Sequence, residues 1–374
     1  MIQRRIKENI LKSMVPNKVN IILGPRRVGK TVLLKEIIKE SANYLSFNGE
    51  DFSVQDLLKN RTINNYQSIL MSKEILFIDE AQTIPEIGKI LKLIVDNIEG
   101  IKIVITGSSA FNISSGAGEP LTGRSQTHIL LPFSEKEILP YEDILYRKEN
   151  LNNRLVYGNY PDVYLLKNYE DKAQYLNELV KSYLLKDILT FENIKNSSKL
   201  FNLLRLIAFQ IGKEVSIQEI AQQLQISRAT VDKYLDLLEK VYVIFKLDGF
   251  SKNLRKEVVK NSKYYFFDNG IRNAIIANFN PIDLRDDVGA LWENYIISER
   301  IKHNYYDNII ANYFFWRTYD HQEIDLLEEK GGNLLAYEMK WKSDKSKVPG
   351  AFSKAYPEAK YQIINNTNYL DFLV

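Results

Sequence analysis

The chain has 374 residues, 45% of them hydrophobic and 26% charged, enough length for two or three domains with cores of their own and an ordinary globular composition. With no cysteine and three histidines, disulfides and thiolate metal sites are excluded and little is left to bind zinc. No stretch approaches the ~18 consecutive apolar residues of a membrane span, the basic start MIQRRIKENI lacks the apolar run of a secretory leader, and a net charge of +3 says nothing about nucleic acid unless basic groups cluster locally; a cytoplasmic protein is expected.

The first predicted element is an apolar strand, Val19 to Leu23. It runs into Gly24, Pro25, Arg26, Arg27, Val28, Gly29, Lys30 and Thr31, which fit G-x-x-x-x-G-K-[ST] without a mismatch. A helix follows, with apolar residues at Val32, Leu33, Ile37 and Ile38. Phosphate needs backbone N–H donors from a loop with little side-chain bulk, and a helix N-terminus aimed at the charge. Residues Gly24 to Val32 are therefore expected to bind ATP. In this reading Lys30 reaches the β- and γ-phosphates and Thr31 offers its hydroxyl to Mg²⁺. Arg26 and Arg27 either touch phosphate or face solvent or a partner.

Glu74 to Gln82, EILFIDEAQ, reads as a buried parallel strand ending in Asp79 and Glu80. Acidic groups there lie in the crevice where α/β sheets hold ligands. Asp79 suits the Mg²⁺ shell, and Glu80 suits a base that orients or deprotonates water. A third strand, Ile101 to Ala110, ends in hydroxyl residues; Ser108 or Ser109 is placed at the γ-phosphate or the water, and Thr106 reads as the strand end.

The segments GPRRVGKT, LFIDEAQ and TGSS together resemble the AAA+-related ATPases, in particular the archaeal-type ATPase group. LTGR (Leu121 to Arg124) followed by LLPFSEKEI is similar to that group as well. The resemblance implies that Arg124 senses or offsets transition-state charge. Asn112 to Gly123, rich in Gly and Ser, reads as a loop beside the nucleotide. The expected fold is α/β: a P-loop parallel sheet over residues 1–135, then a helical lid over 136–210. The lid resembles the group's GGxPEV segment, with Asn159 and Asp162 as departures, and implies a cover over the nucleotide.

Ser216 then starts a Ser-x-x-Glu capping box with Glu219, and Ser227 caps a second helix bearing Val231, Tyr234, Leu235 and Leu238 on one face. Strands at Val241–Phe250 and Lys263–Gly270 follow. Two helices, a tight turn and a strand pair describe a winged helix-turn-helix over 211–270. Arg228, Thr230 and Lys233 would be exposed on its second helix, with Lys252, Arg255 and Lys256 near the wing. Such residues meet DNA, or the module serves as a protein clamp.

In the last part, 271–374, a helix carries Glu293. Strands at Asn312–Tyr319, Glu323–Glu329 and Leu334–Lys342 follow, the last two joined by Gly331-Gly332. Alternation puts Glu338 and Lys340 on one face, and Asp325 can share it. An Asp, a Glu-x-Lys and a helical Glu resemble the PD-(D/E)XK nuclease fold. That resemblance implies a Mg²⁺ cage of Glu293, Asp325 and Glu338 with Lys340 beside it; the alternative is an inherited shell closed by salt bridges. The expected function is an Mg²⁺-dependent ATPase that switches the winged helix and this domain. Its rivals are a slow ATP-gated regulatory or defence scaffold with a protein partner, and an ATP-controlled DNA nuclease. The oligomeric state is left open.

Overall fold

A computed structural model describes residues 2–108, 121–184, 197–251 and 262–374. Ser109, the stretch 112–120, and Lys252, Arg255 and Lys256 lie outside the described residues. The chain divides into two compact units. One comprises the residues up to Leu131; the other begins at Pro132 and takes in the rest of the described chain apart from Lys240–Tyr242.

The first unit is built on five parallel strands: β1 (Lys18–Leu23), β2 (Tyr44–Asn48), β3 (Ile75–Asp79), β4 (Lys102–Thr106) and β5 (Ser125–Ile129), in the order β2-β3-β4-β1-β5. The three inner strands are near-continuous apolar runs, as strands covered on both faces must be, and the edge strand β2 is exposed at alternate residues. Helix Ile87–Asn97 buries Ile90, Leu91 and Ile94 in the same core as Ile78 and Ile103. From β1 the chain passes outward to β2, returns through β3 and β4, and then crosses to β5 on the other side of β1. The order of the strands thus reverses at β1, where the carboxyl ends of a parallel sheet open a crevice for ligands.

Helix Lys30–Lys39 buries Leu33, Leu34 and Ile37. Val32, expected on that face, is 46% exposed. The buried set is one residue out of step with the predicted stripe, because the 3.6-residue period places Leu34 with Lys30 and Ile37.

The second unit carries seven further strands: β6 (Glu214–Val215), β7 (Ile244–Gly249), β8 (Ser262–Phe266), β9 (Asn312–Arg317), β10 (Glu323–Lys330), β11 (Asn333–Met339) and β12 (Lys360–Ile364). They form one sheet in the order β12-β11-β10-β9-β7-β8-β6. Parallel pairing of β7 with β9 carries this sheet across residues 270 and 271, where the sequence suggests a boundary. Gly331 and Gly332, at φ 55° and 78°, make the two-residue turn between β10 and β11, a geometry that suits a hairpin's twist.

Ser216 accepts the N–H of Glu219 at 3.3 Å and so caps helix Ile217–Leu224. Ser227 accepts the N–H of Thr230 at 3.0 Å at the head of helix Arg228–Lys240. The strand expected over Lys263–Gly270 stops at Phe266; Asp268 instead accepts the N–H of Ile271 and caps helix Asn269–Ile275. Pro161 opens helix Pro161–Leu165. Its fixed φ and missing N–H are suited to the first helical position.

The segment expected to cover the nucleotide directs its buried polar groups towards helix Val288–Tyr306 and Asp268. Arg154 pairs with Glu135 at 2.8 Å and donates to Tyr295 at 3.1 Å. Asn159 donates its N–H to Asp268 at 2.7 Å and its amide to Glu299 at 3.2 Å. The hydroxyl of Tyr175 donates to Asp162 at 2.6 Å.

Candidate functional site

The loop between β1 and helix Lys30–Lys39 owes its shape to two glycines. Gly24 lies so close to β5 that a Cβ would meet the carbonyl oxygen of Leu130 at 2.0 Å. Gly29, at φ 93°, occupies the left-handed region where a side chain is strained. Arg4 fastens the loop from behind, donating to the carbonyls of Val28 at 2.8 Å and Leu131 at 2.5 Å. Val28 and Pro25 are buried, whereas Arg26 and Arg27 are exposed.

Lys30 is 6% exposed, and its ammonium donates to the carbonyls of Gly24 and Pro25 at 3.0 and 2.9 Å. It therefore lies inside the loop at the head of a ten-residue helix, whose partial positive charge adds to its own. Thr31 is the next residue in that helix and is half-buried.

Asp79 ends β3 and Glu80 follows in the left-handed region at φ 51°, a conformation that costs a non-glycine residue and recurs at functional sites. The hydroxyl of Thr106, at the end of β4, donates to Asp79 Oδ1 and accepts the N–H of Glu80 at 2.9 Å. Thr106 is thus more than a strand end: it joins the two acidic residues. Gln82 donates to Glu80 Oε2, and its own Oε1 accepts the N–H of Ser108 at 3.3 Å. Neither Thr106 nor Gln82 was singled out by spacing, and the hydroxyl after the apolar run IVI was the available signal.

A hydroxyl from Thr31 and a carboxylate from Asp79 are both hard oxygen donors, the set that Mg²⁺ takes beside phosphate. The residues present fit that ion.

Arg124 is not brought to this loop. It precedes β5, and its carbonyl accepts the N–H of Val19 at the start of β1, while the loop leaves from the other end of that strand. Its guanidinium pairs instead with Asp96 at 2.5 Å, at the partly exposed foot of the sheet. In a parallel sheet the amino and carboxyl ends of the strands are a strand length apart, so within one chain Arg124 cannot meet the phosphates.

In the second unit the structure does gather Glu293, Asp325, Glu338 and Lys340. The last three lie on β10 and β11 or just beyond, and Glu293 faces them from helix Val288–Tyr306. Lys340 pairs with Glu338 at 2.6 Å, and Asp325 accepts the N–H of Met339 at 2.8 Å. Three further residues, Lys263, Glu323 and Tyr265, join them. Lys263 on β8 is 1% exposed, contacts Glu323 and lies 3.6 Å from Glu293. Tyr265, two residues on and so on the same face, donates its hydroxyl to Glu293 at 2.6 Å. A charged residue inside the aromatic run SKYYFF was the signal for Lys263.

Burial lifts the Asp325 carboxyl well above the ordinary carboxylate range, and the neighbouring Glu293 and Glu338 raise it further. Burial also raises Glu293, against the pull of Lys263. Among the described residues no group of three His, Cys, Asp or Glu side chains is arranged to hold a metal ion. The expected Mg²⁺ cage does not fit: its carboxylates converge, but they take their partners from the protein.

On helix Arg228–Lys240, Arg228 and Lys233 are exposed and Thr230 half-exposed. Asp232 and Asp236 are exposed among them, so this face is of mixed charge.

The parallel sheet reversing at β1, the glycine-shaped loop and the acidic pair on β3 define a P-loop NTPase-like domain of the α/β class. Comparison with known families agrees: residues 16–139 match the model of an AAA domain. Residues 148–282 and 288–372 match two domains of unknown function, DUF8612 and DUF4143. The chain is similar to an uncharacterized protein of Methanocaldococcus jannaschii, 27% identical over 96% of this chain and 83% of the relative. It is also similar to uncharacterized proteins of Haemophilus influenzae (26% identical; 88% of this chain, 85% of the relative) and Mycobacterium tuberculosis (24%; 86% and 70%). Among the described residues no helix is long and apolar enough to cross a membrane.

Proposed function

We propose that the protein binds ATP with Mg²⁺ and hydrolyses it, as a nucleotide-gated switch. The observation that carries this reading is the bridge from Thr106 to Asp79 and Glu80, two strands from the P-loop in the same sheet. In this reading Lys30 leaves the loop carbonyls for the β- and γ-phosphates, and the loop N–H groups hold their oxygens. Thr31 and Asp79 would hold Mg²⁺, whose charge offsets that of the phosphates. Glu80 orients the attacking water and accepts its proton, while Ser108 lies close enough in the chain to contact the γ-phosphate.

What the switch controls is proposed to be a partner protein. The mixed charge of the Arg228–Lys240 face favours this over DNA, since phosphate binding gains most from basic groups without acidic neighbours. Chain-length assays test both parts. Lys30→Ala should lose ATP binding. Glu80→Gln should bind ATP while turnover falls by about 10²-fold, the scale of a lost general base. Equal loss of binding in both variants would remove Glu80 from catalysis. DNA affinity that falls, with a flatter salt dependence, in Arg228→Ala/Lys233→Ala would restore the DNA reading.

A further inference from the structure

Strand alternation on β8 turns Lys263 and Tyr265 to the same side, towards helix Val288–Tyr306 and β10. The Lys263 ammonium is enclosed there: it contacts Glu323, lies 3.6 Å from Glu293, and stands 5.2 Å over the Phe315 ring. Burial alone would pull its pKa down, but Glu293, Glu323 and Asp325 together outweigh that and raise it, so it is charged throughout the physiological range.

Every carboxylate of the group has a partner supplied by the chain. Glu323 has Lys263 and, at 3.6 Å, Arg317. Glu293 has Lys263 and the Tyr265 hydroxyl; Asp325 has the Met339 N–H; Glu338 has Lys340. Mg²⁺ needs about six oxygens at roughly 2.0–2.1 Å. To collect them here it would have to sit against a buried ammonium that repels it, while displacing donors already in place.

We infer that Lys263 is a resident cation that occupies the place of a divalent ion among Glu293, Glu323 and Asp325 and closes the cluster to metal. The cluster is then a charge-locked joint between β8, β10, β11 and helix Val288–Tyr306, and it becomes a metal site only when Lys263 is removed. Such a joint is costly to break: a buried carboxylate that loses its counter-ion stays desolvated and unpaired.

The test uses the full chain without nucleotide, with Mg²⁺ or Mn²⁺ as the probe. All three tryptophans, Trp292, Trp316 and Trp341, lie in the second unit, so their fluorescence follows its melting directly. For the wild type neither ion should move the midpoint. Lys263→Met should lower the midpoint, and Mn²⁺ should restore part of the loss, because an ion that binds only the folded form stabilises it by mass action. Asp325→Ala in the Lys263→Met background should abolish the rescue. A wild-type midpoint that rises with metal and is made insensitive by Asp325→Ala would overturn the inference, as would a folded Lys263→Met that gains nothing from Mn²⁺. Should Lys263→Met fail to fold, Mn²⁺ titration of the nucleotide-free wild type by electron paramagnetic resonance decides: no tight site is expected, and one tight site lost in Asp325→Ala overturns it.

Discussion

Thr106 holds Asp79 by its hydroxyl and, with the same oxygen, takes the backbone N–H of Glu80. One side chain on β4 thereby sets both the Asp79 carboxylate and the backbone turn that carries Glu80, the proposed base, out of the strand. Because Glu80 sits in the left-handed region, that turn relies on outside hydrogen bonds to persist.

Replacing Thr106 with Val keeps the shape and removes the oxygen. The Glu80 N–H loses its acceptor, and Asp79 loses a donor. ATP binding should stay within a few-fold of wild type, since the loop is untouched, while turnover falls by about tenfold or more. Thr106→Ser should recover most of the loss. Phosphate release beside equilibrium nucleotide binding checks this, and wild-type turnover in Thr106→Val would show that the bridge is not needed.

Arg124→Ala should leave turnover unchanged in dilute protein, because the guanidinium lies at the opposite end of β1 from the loop. Its ion pair with Asp96 is partly exposed and worth at most about 1 kcal/mol. Loss of turnover at concentrations where the chain is monomeric would contradict this placement.

His128 is 4% exposed, with Nε2 at 2.9 Å from Asn20 Oδ1, and burial lowers its pKa to about 4. The unfolded ring titrates near 6.5. Above that pH neither state binds the proton and the contribution is constant; as pH falls from about 6.5 to 4 the unfolded state alone takes it up, and stability is lost. The loss should reach about 3 kcal/mol at pH 4. His128→Gln removes the titration, so the difference between wild type and variant should shrink by that amount between pH 7 and 4. Hydrogen exchange in β1 and β5 reads it in the first unit, and a difference constant with pH would rule it out.

Arg154 is 3% exposed and pairs with Glu135 and Glu142 at 2.8 and 2.5 Å. Arg154→Met leaves two carboxylates buried without a counter-ion and should cost about 3–5 kcal/mol. Denaturant unfolding followed by tryptophan fluorescence measures it. A loss under about 1 kcal/mol would mean that water reaches the pair.

The strands that carry the P-loop and the acidic pair were legible because an apolar run between a charged start and a glycine or acidic end has few other uses. The loop pattern named its own residues. Arg124 was misplaced because a motif beside a strand does not say which end of the sheet it adjoins; only the parallel register with β1 does. For Lys263 the run SKYYFF marks an unusual charge but not its partners: Glu293 and Glu323 are 30 and 60 residues away, and only folding makes them neighbours. The same holds for Thr106, whose partner Asp79 is 27 residues upstream. Val32 was lost to a single-residue phase error in helical periodicity.

The pairing of β7 with β9 has a consequence for any attempt to take the protein apart. The family models of 148–282 and 288–372 meet between β8 and β9, yet the hydrogen-bonded ladder passes through that junction. A fragment beginning near residue 288 would bare the inner edge of β9, and an uncovered edge strand invites pairing between copies. Expression of either half is therefore expected to give association or partial unfolding, whereas the whole sheet should open as one cooperative block in hydrogen exchange. Modules that are separable as sequence families are here inseparable as folding units.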